Sequence, residues 1–321
     1  MMEEIRDTLG RSFKTLRISL LNTCNLACVY CSCGNEDSKQ NHILAKDKSL
    51  STQQLLALVK QLHERLNLTT VRFTGGEPLL YKNLAELVEG VHDLGIKDLK
   101  LTTNALLLDR LSPGLKAAGL KSINISLDAI DPLVFFQMSR RHDLSRTLKG
   151  IDAALQQGIE VKINSVIMKG LNDNQIMPLL DFAFERGITI RFLEIMSMGH
   201  LYGNADEHFF SQDDILQLIS KHHTFMPLLR TSSSTANYWQ TTDGRRFGIV
   251  ANESQPFCSD CNRLRLDTFG NIYGCLSSNH PVPIKEVFSP LELEGKIREA
   301  LTQKQALKFT GSTLSMLHIG G

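Results

Sequence analysis

Up to about residue 225, short runs rich in Ile, Val and Leu alternate with longer stretches whose apolar residues recur every three or four positions. The first pattern fits buried strands and the second fits helices with one buried face. On this reading residues 16–21, 71–74, 99–102, 123–127, 161–166 and 188–193 are strands. Residues 52–66, 84–94, 109–118, 174–186 and 212–221 are helices. Such alternation predicts parallel strands joined by right-handed crossovers, and hence an α/β fold. Six strands fit a partial (β/α)6 barrel of the TIM type, with functional loops at the carboxyl ends of the strands; a doubly wound open sheet is the alternative. Gly75-Gly76-Glu77-Pro78, Thr102-Thr103-Asn104 and Ser126-Leu127-Asp128 fall at or just past such ends.

The alternation fades after residue 225, and residues 231–235, rich in Ser and Thr, read as a connection. The expected division is therefore a barrel over 1–225 and a smaller carboxy-terminal region over 226–321. Residues 33–49 are polar and read as a loop.

Composition narrows the function classes. The 321 residues are 42 % apolar, enough for a sizeable core, and Lys+Arg 35 against Asp+Glu 34 leaves a net charge of +1. No global field favours nucleic acid, so any anion site is local. No apolar run approaches the roughly 20 residues of a membrane span. The opening Met1-Met2-Glu3-Glu4-Ile5-Arg6-Asp7 lacks a signal-peptide pattern. The expectation is a cytoplasmic protein with neither membrane nor nucleic acid as partner. Its seven cysteines are too few and too clustered for a disulfide scaffold, and such clusters more often bind metal.

Cys24, Cys28 and Cys31 directly follow the first strand. Three soft thiolates on one loop suit three corners of a [4Fe–4S] cube and leave its fourth iron open. An open iron can chelate the amino and carboxylate groups of S-adenosylmethionine, whose one-electron cleavage gives a 5′-deoxyadenosyl radical. A zinc site completed by Cys33 is the alternative. The frame Cys-x-x-x-Cys-x-x-Cys, with the aromatic Tyr30 before its last cysteine, resembles the radical S-adenosylmethionine superfamily. Gly75-Gly76-Glu77-Pro78 resembles the glycine-rich segment that receives the methionine amino group in that superfamily, glycine letting backbone carbonyls approach a ligand closely. The resemblance implies cofactor contacts at Tyr30, Gly76, Ser126 and Met196. Without it, Ser126 reads as a strand-end hydroxyl and Met196 as core filler.

Cys258, Cys261 and Cys275 form a second set. They suit another three-ligand cluster whose open iron takes substrate, or a zinc ribbon completed by His280. Arg263 and Arg265 alternate, so on an extended segment both face one side, as a phosphate-bearing ligand would require. A solvated charged edge is the plainer reading of the two.

Cys-x-x-Cys-Asn-Arg-x-Arg-Leu followed by a third cysteine, with the terminal Ile319-Gly320-Gly321, narrows the resemblance to the GTP 3′,8-cyclases, which catalyse the first step of molybdenum cofactor biosynthesis. Leu16-Arg17-Ile18-Ser19, Lys162-Ile163-Asn164, Arg191-Phe192-Leu193-Glu194 and Phe247-Gly248-Ile249 match in order. The resemblance implies two [4Fe–4S] clusters, S-adenosylmethionine and GTP lying between the clusters. It implies conversion of GTP to (8S)-3′,8-cyclo-7,8-dihydroguanosine 5′-triphosphate, with guanine at the open iron of the second cluster. Implied GTP contacts are Arg17, Arg72, Thr102, Lys162, Arg191, Arg263, Leu264 and Arg265, with the Gly320-Gly321 tail reaching into the site. No side chain is assigned a catalytic role of its own. Expected partners are an unidentified electron donor, a downstream cyclic pyranopterin monophosphate synthase, and a second copy of the chain, since the family often forms homodimers.

The sequence departs from the family at three places. Asn22-Thr23 replaces an acidic–basic pair, Ser32-Cys33-Gly34 replaces a common Met-Pro, and Thr70 stands where many members carry a phosphate-contacting lysine. Two other functions compete: a peptide-modifying radical S-adenosylmethionine enzyme, which usually has more cysteines near its end, and a zinc-stabilised binding protein without catalysis.

Overall fold

The computed structural model describes residues 4–31 and 49–320. Cys33, the loop read over residues 33–49 except for its last residue, and Gly321 lie outside the described residues. Six strands, β1 (Thr15–Ser19), β2 (Thr70–Thr74), β3 (Asp98–Thr103), β4 (Ser122–Ser126), β5 (Glu160–Ile167) and β6 (Thr189–Glu194), pair in sequence order and all run parallel. The helices between them are α1 (Thr52–Leu66), α2 (Leu84–Asp93), α3 (Leu108–Ala117), α4 (Pro132–Ser139), α5 (Leu144–Gln156) and α6 (Ile176–Glu185), with α7 (Gln212–Ser220) after β6. The α/β barrel-type arrangement expected from the alternation is therefore present, with α4 and α5 added between β4 and β5.

Local chemistry explains the elements. At the start of α1 the Ser51 hydroxyl accepts from Gln54 N at 3.3 Å while Gln54 Oε1 accepts from Ser51 N at 2.9 Å, a reciprocal cap. Leu55, Leu58, Val59, Leu62 and Leu66 then form its buried face, and Asn67 ends it in a left-handed conformation with φ 51°.

The strands have one apolar and one polar face. Leu16, Ile18, Val71, Phe73, Leu99 and Leu101 are completely buried in the main core. The residues between them, Arg17, Arg72, Lys100 and Thr102, line a cavity. A barrel whose centre serves only as core fills it with branched apolar side chains. Here the inner face is polar and charged, so the centre is a binding space.

The carboxy-terminal part widens the same sheet. Strands β7 (Phe225–Pro227), β8 (Asn237–Thr241) and β9 (Arg246–Val250) join beyond β6, and β10 (Arg263–Leu266), β11 (Asn271–Tyr273) and β12 (Val282–Pro283) join beyond β1. The resulting sheet has twelve strands with β12 and β7 at its edges. β9 pairs with β6, and β10 with β1, in parallel; the outer pairs are antiparallel. Helix α8 (Pro290–Leu301) is tied to α1 by Arg65, which contacts Glu294 at 2.6 Å, and the short α9 (Met316–Ile319) follows. Among the described residues no helix is long and apolar enough to cross a membrane.

Candidate active site

The loop after β1 carries the first thiols. Cys24, Cys28 and Cys31 are free and border a cavity of about 160 Å3 together with Tyr30, Gly76 and Ser126. The loop is fastened on two sides. Ala27 N and Val29 N donate to Ser139 O and Met138 O at the end of α4, at 3.0 and 2.9 Å. Gly76 N donates to Leu21 O at 2.6 Å and Glu77 N to Thr23 O at 2.8 Å. A Cβ on Gly76 would stand 2.2 Å from Thr23 O, and one on Gly75 2.7 Å from Leu21 O. The contact between two loops thus requires these glycines, which also border the cavity.

Two buried carboxylates brace this pocket. Glu77 accepts from Leu79 N at 2.9 Å, the Thr103 hydroxyl at 2.6 Å and Asn104 N at 2.8 Å. Burial nevertheless lifts its pKa to about 7. Asp128 accepts from the Tyr30 hydroxyl at 2.8 Å and Val166 N at 2.9 Å, and burial lifts it to about 6. Burial also pushes the Cys24 thiol up to about 11 and the Cys31 thiol to about 12. Loading metal there must displace protons. Three thiols on one wall beside a glycine loop fit a cluster with three cysteine ligands.

A second cavity, of about 500 Å3, occupies the barrel interior. Arg17, Arg72, Thr102, Lys162, Arg191, Arg263 and Arg265 all line it, as do Cys258, Cys261 and Cys275. Strand register sets Arg265, Arg17, Arg72 and Lys100 abreast on four neighbouring strands. Burial, then repulsion from Arg265, Arg72 and Arg263, pulls Arg17 well below its ordinary value. Burial, then Arg191, brings Arg72 down to about 9, and burial brings Arg265 to about 10. Crowded cations that repel one another are a preorganised site for a polyanion, which relieves the repulsion on arrival.

Two implied residues sit elsewhere. The Leu264 side chain is fully buried in the core, on the face of β10 opposite Arg263 and Arg265. Met196 lines the large cavity rather than the small one. Sequence reasoning missed Lys100, Tyr238, Lys304 and the wall formed by Ser233, Ser234 and Thr235. Lys100 shares the two-residue period of Thr102 and was legible; the wall lies in the segment read as a plain connection, and nothing in its sequence marks it. Thr70 donates to Asp98 at 2.7 Å, and Asp98 in turn holds Lys100 at 2.8 Å.

The second thiols sit where the carboxy-terminal strands meet the barrel. Asp260, between Cys258 and Cys261, takes two bonds of 2.8 Å from Arg230 and one of 2.8 Å from Ser233 N. Arg263 Nη1 donates to Ser233 O at 3.0 Å. Burial pushes the Cys258 thiol up to about 11. Burial acts on Cys261 in the same direction, but Arg263 and Lys304 outweigh it and bring that thiol down to about 6. Among the described residues no three His, Cys, Asp or Glu side chains converge on one ion. A cube places each thiolate on a different iron and does not need them to.

The two cavities meet. Thr102, Asn164, Leu193 and Met316 line both. Arg191 holds Asn164 Oδ1 at this boundary, at 2.9 and 2.6 Å. The tail ends nearby: Arg265 Nη1 donates to Ile319 O at 3.2 Å and to Gly320 O. At Gly320, φ is 75° and a Cβ would fall 2.6 Å from Thr74 Cγ2, so only glycine suits this position.

The radical SAM superfamily matches residues 18–183, and the molybdenum cofactor synthesis carboxy-terminal family matches 188–310. A GTP 3′,8-cyclase of Staphylococcus epidermidis is 39 % identical over 280 residues, 86 % of this chain and 82 % of the relative. One of Synechocystis is 34 % identical over 321 residues, 100 % of this chain and 96 % of the relative. Among solved structures, Streptococcus suis SuiB bound to S-adenosylmethionine aligns with a TM-score of 0.62 at 17 % identity, over 89 % of this chain and 68 % of that one. Native anSMEcpe with bound AdoMet aligns with a TM-score of 0.59 at 14 % identity, over 89 % and 82 %. These two likenesses concern the fold.

Proposed function

We propose, for a chain that belongs to the GTP 3′,8-cyclase family of radical S-adenosylmethionine enzymes, that its two thiol pockets hold two [4Fe–4S] clusters and that GTP occupies the cavity between them. The family's reaction converts GTP to (8S)-3′,8-cyclo-7,8-dihydroguanosine 5′-triphosphate in molybdenum cofactor biosynthesis. One observation carries the assignment: two cavities, each bordered by three thiols, share Thr102, Asn164, Leu193 and Met316.

In this reading Cys24, Cys28 and Cys31 hold the first cluster, and Cys258, Cys261 and Cys275 the second. When bound, the first cluster and S-adenosylmethionine supply a 5′-deoxyadenosyl radical able to remove the 3′ hydrogen of the ribose. Tyr30, Gly76 and Ser126 flank the cofactor, with Met196 at the substrate side. Arg17, Arg72, Lys162, Arg191, Arg263 and Arg265 neutralise the triphosphate, Thr102 sits at the boundary, and Leu264 offers its main chain. Leu193 and Met316 supply apolar cover that keeps water from the boundary. Gly320 closes the site without a side chain.

Residues 1–225 then form the cofactor-binding barrel and 226–321 the region that completes the nucleotide cavity. The remaining parts of the proposal are a cytoplasmic setting, an electron donor of unknown identity, a homodimer, and delivery of the product to cyclic pyranopterin monophosphate synthase.

The test is an anaerobic assay with reductant, S-adenosylmethionine and GTP deuterated at the ribose 3′ position. Deuterium is expected in 5′-deoxyadenosine, alongside a nucleotide product that acid converts to a fluorescent pterin. Label retained in the nucleotide while 5′-deoxyadenosine forms would overturn the assignment.

A further inference from the structure

The two thiol sets have different neighbours. Cys24 Sγ receives the Leu26 main-chain N–H at 3.4 Å and the Asn104 amide at 3.8 Å, both neutral donors. Cys261 Sγ receives the ammonium of Lys304 at 3.1 Å. The same ammonium donates to Arg263 O at 3.1 Å and stands 5.1 Å above the Phe13 ring. Cys275 Sγ receives the Ser277 hydroxyl at 3.2 Å.

Lys304 is held where it is by packing. It follows the end of α8, and Lys304 N donates to Leu301 O at 3.1 Å. The last turn of α8 presses on the residue before Cys275: a Cβ on Gly274 would stand 1.9 Å from Ala300 O. Gln305 O and Cys258 O both accept from Arg11, whose guanidinium is paired with Asp7 at 2.5 Å. The segment that carries the ammonium and the turn that carries the thiols are therefore cross-tied at three points.

We infer that Lys304 raises the reduction potential of the second cluster. Adding an electron to a cluster places more negative charge on its sulfurs, and a nearby cation with an N–H···S bond stabilises that state. The Cys24 thiol, by contrast, has the neutral donors Leu26 N and the Asn104 amide. This inference rests on the proposed second cluster.

The test uses the full-length chain with Cys24, Cys28 and Cys31 changed to Ser, so that iron and sulfide report on the second site alone. Lys304→Met, Lys304→Gln and Lys304→Arg are compared by anaerobic redox titration read by electron paramagnetic resonance. At the midpoint potential of the parent, Lys304→Met and Lys304→Gln are expected to shift the reduced-to-oxidised ratio about tenfold toward oxidised, equivalent to ~59 mV for a one-electron couple. Lys304→Arg is expected to restore most of the parent value. A fully loaded Lys304→Met or Lys304→Gln protein with an unchanged midpoint overturns the inference, as does an equal shift in Lys304→Arg. A parent that retains no iron and sulfide overturns the two-cluster reading itself, and this result is distinct from the others.

Discussion

The Tyr30 hydroxyl donates to Asp128 Oδ2 at 2.8 Å, joining the aromatic before the third thiol to the loop after β4. Asp128 is anchored in turn by Val166 N, and Asn172 Nδ2 donates to Asp128 O at 2.9 Å. The ring beside the small cavity is thus oriented from a neighbouring strand. Tyr30→Phe and Asp128→Asn are each expected to weaken S-adenosylmethionine binding to the reconstituted protein by roughly fivefold, the worth of one hydrogen bond. The double variant should be no weaker than either single one. Fully additive losses in a binding titration would show that the two residues act separately.

Glu77 makes the stability of the metal-free protein depend on pH. Its folded-state pKa of about 7 lies above the ordinary 4.5, so the folded chain keeps a proton that the unfolded chain has released. Stability therefore falls as pH rises from about 4.5 to 7, by about 1 to 3 kcal/mol. Urea midpoints at pH 5, 6 and 7 should decline, and Glu77→Gln should flatten the decline. An equally steep slope in the variant would place the titrating group elsewhere.

Gly76 and Gly114 offer a matched pair of alanine substitutions. A Cβ on Gly76 meets Thr23 O at 2.2 Å, whereas one on Gly114, inside α3, meets nothing within 4 Å. Gly76→Ala is expected to cost about 2 kcal/mol or more and to lose the iron of the first site. Gly114→Ala should leave iron content unchanged and gain about 0.5 kcal/mol. Iron analysis and urea unfolding of both variants check this.

The row of cations on β10, β1, β2 and β3 predicts which end of the nucleotide they serve. Lys100→Met and Arg72→Met should each weaken GTP about tenfold more than guanosine monophosphate, measured by calorimetry at fixed salt. Equal losses for both nucleotides would place these side chains away from the outer phosphates. Lys100 is the informative member, because Thr70 reaches it only through Asp98.

Much of this arrangement was legible in the sequence. Residues 52–66 read as a helix and form one, because Ser51 and Gln54 cap it and its leucines keep one period. The two thiol frames and the Arg263–Arg265 alternation were visible as spacing, and both lead to cavity walls. Helix α5 escaped because Gly150 and Thr147 interrupt its apolar stripe. Gly150 is there since a Cβ would strike Ala105 O at 2.2 Å, a contact between distant segments. Helix α4 escaped because its Leu133, Val134, Phe135 and Phe136 make a continuous apolar run without a stripe. Strands β7 to β12 hold two to five residues each, and their pairing is decided by partners far along the chain. The row of cations needed register, which no single strand contains.

Asp260 has one foot in each of two structures. It belongs to the turn that presents Cys258 and Cys261, and its carboxylate also grips Arg230 and the main chain of Ser233, a residue in the wall of the large cavity. A disturbance of that turn is therefore not confined to the thiols. A slackened turn releases the wall within one hydrogen-bond step, so the setting of the thiols and the shape of the large cavity change together.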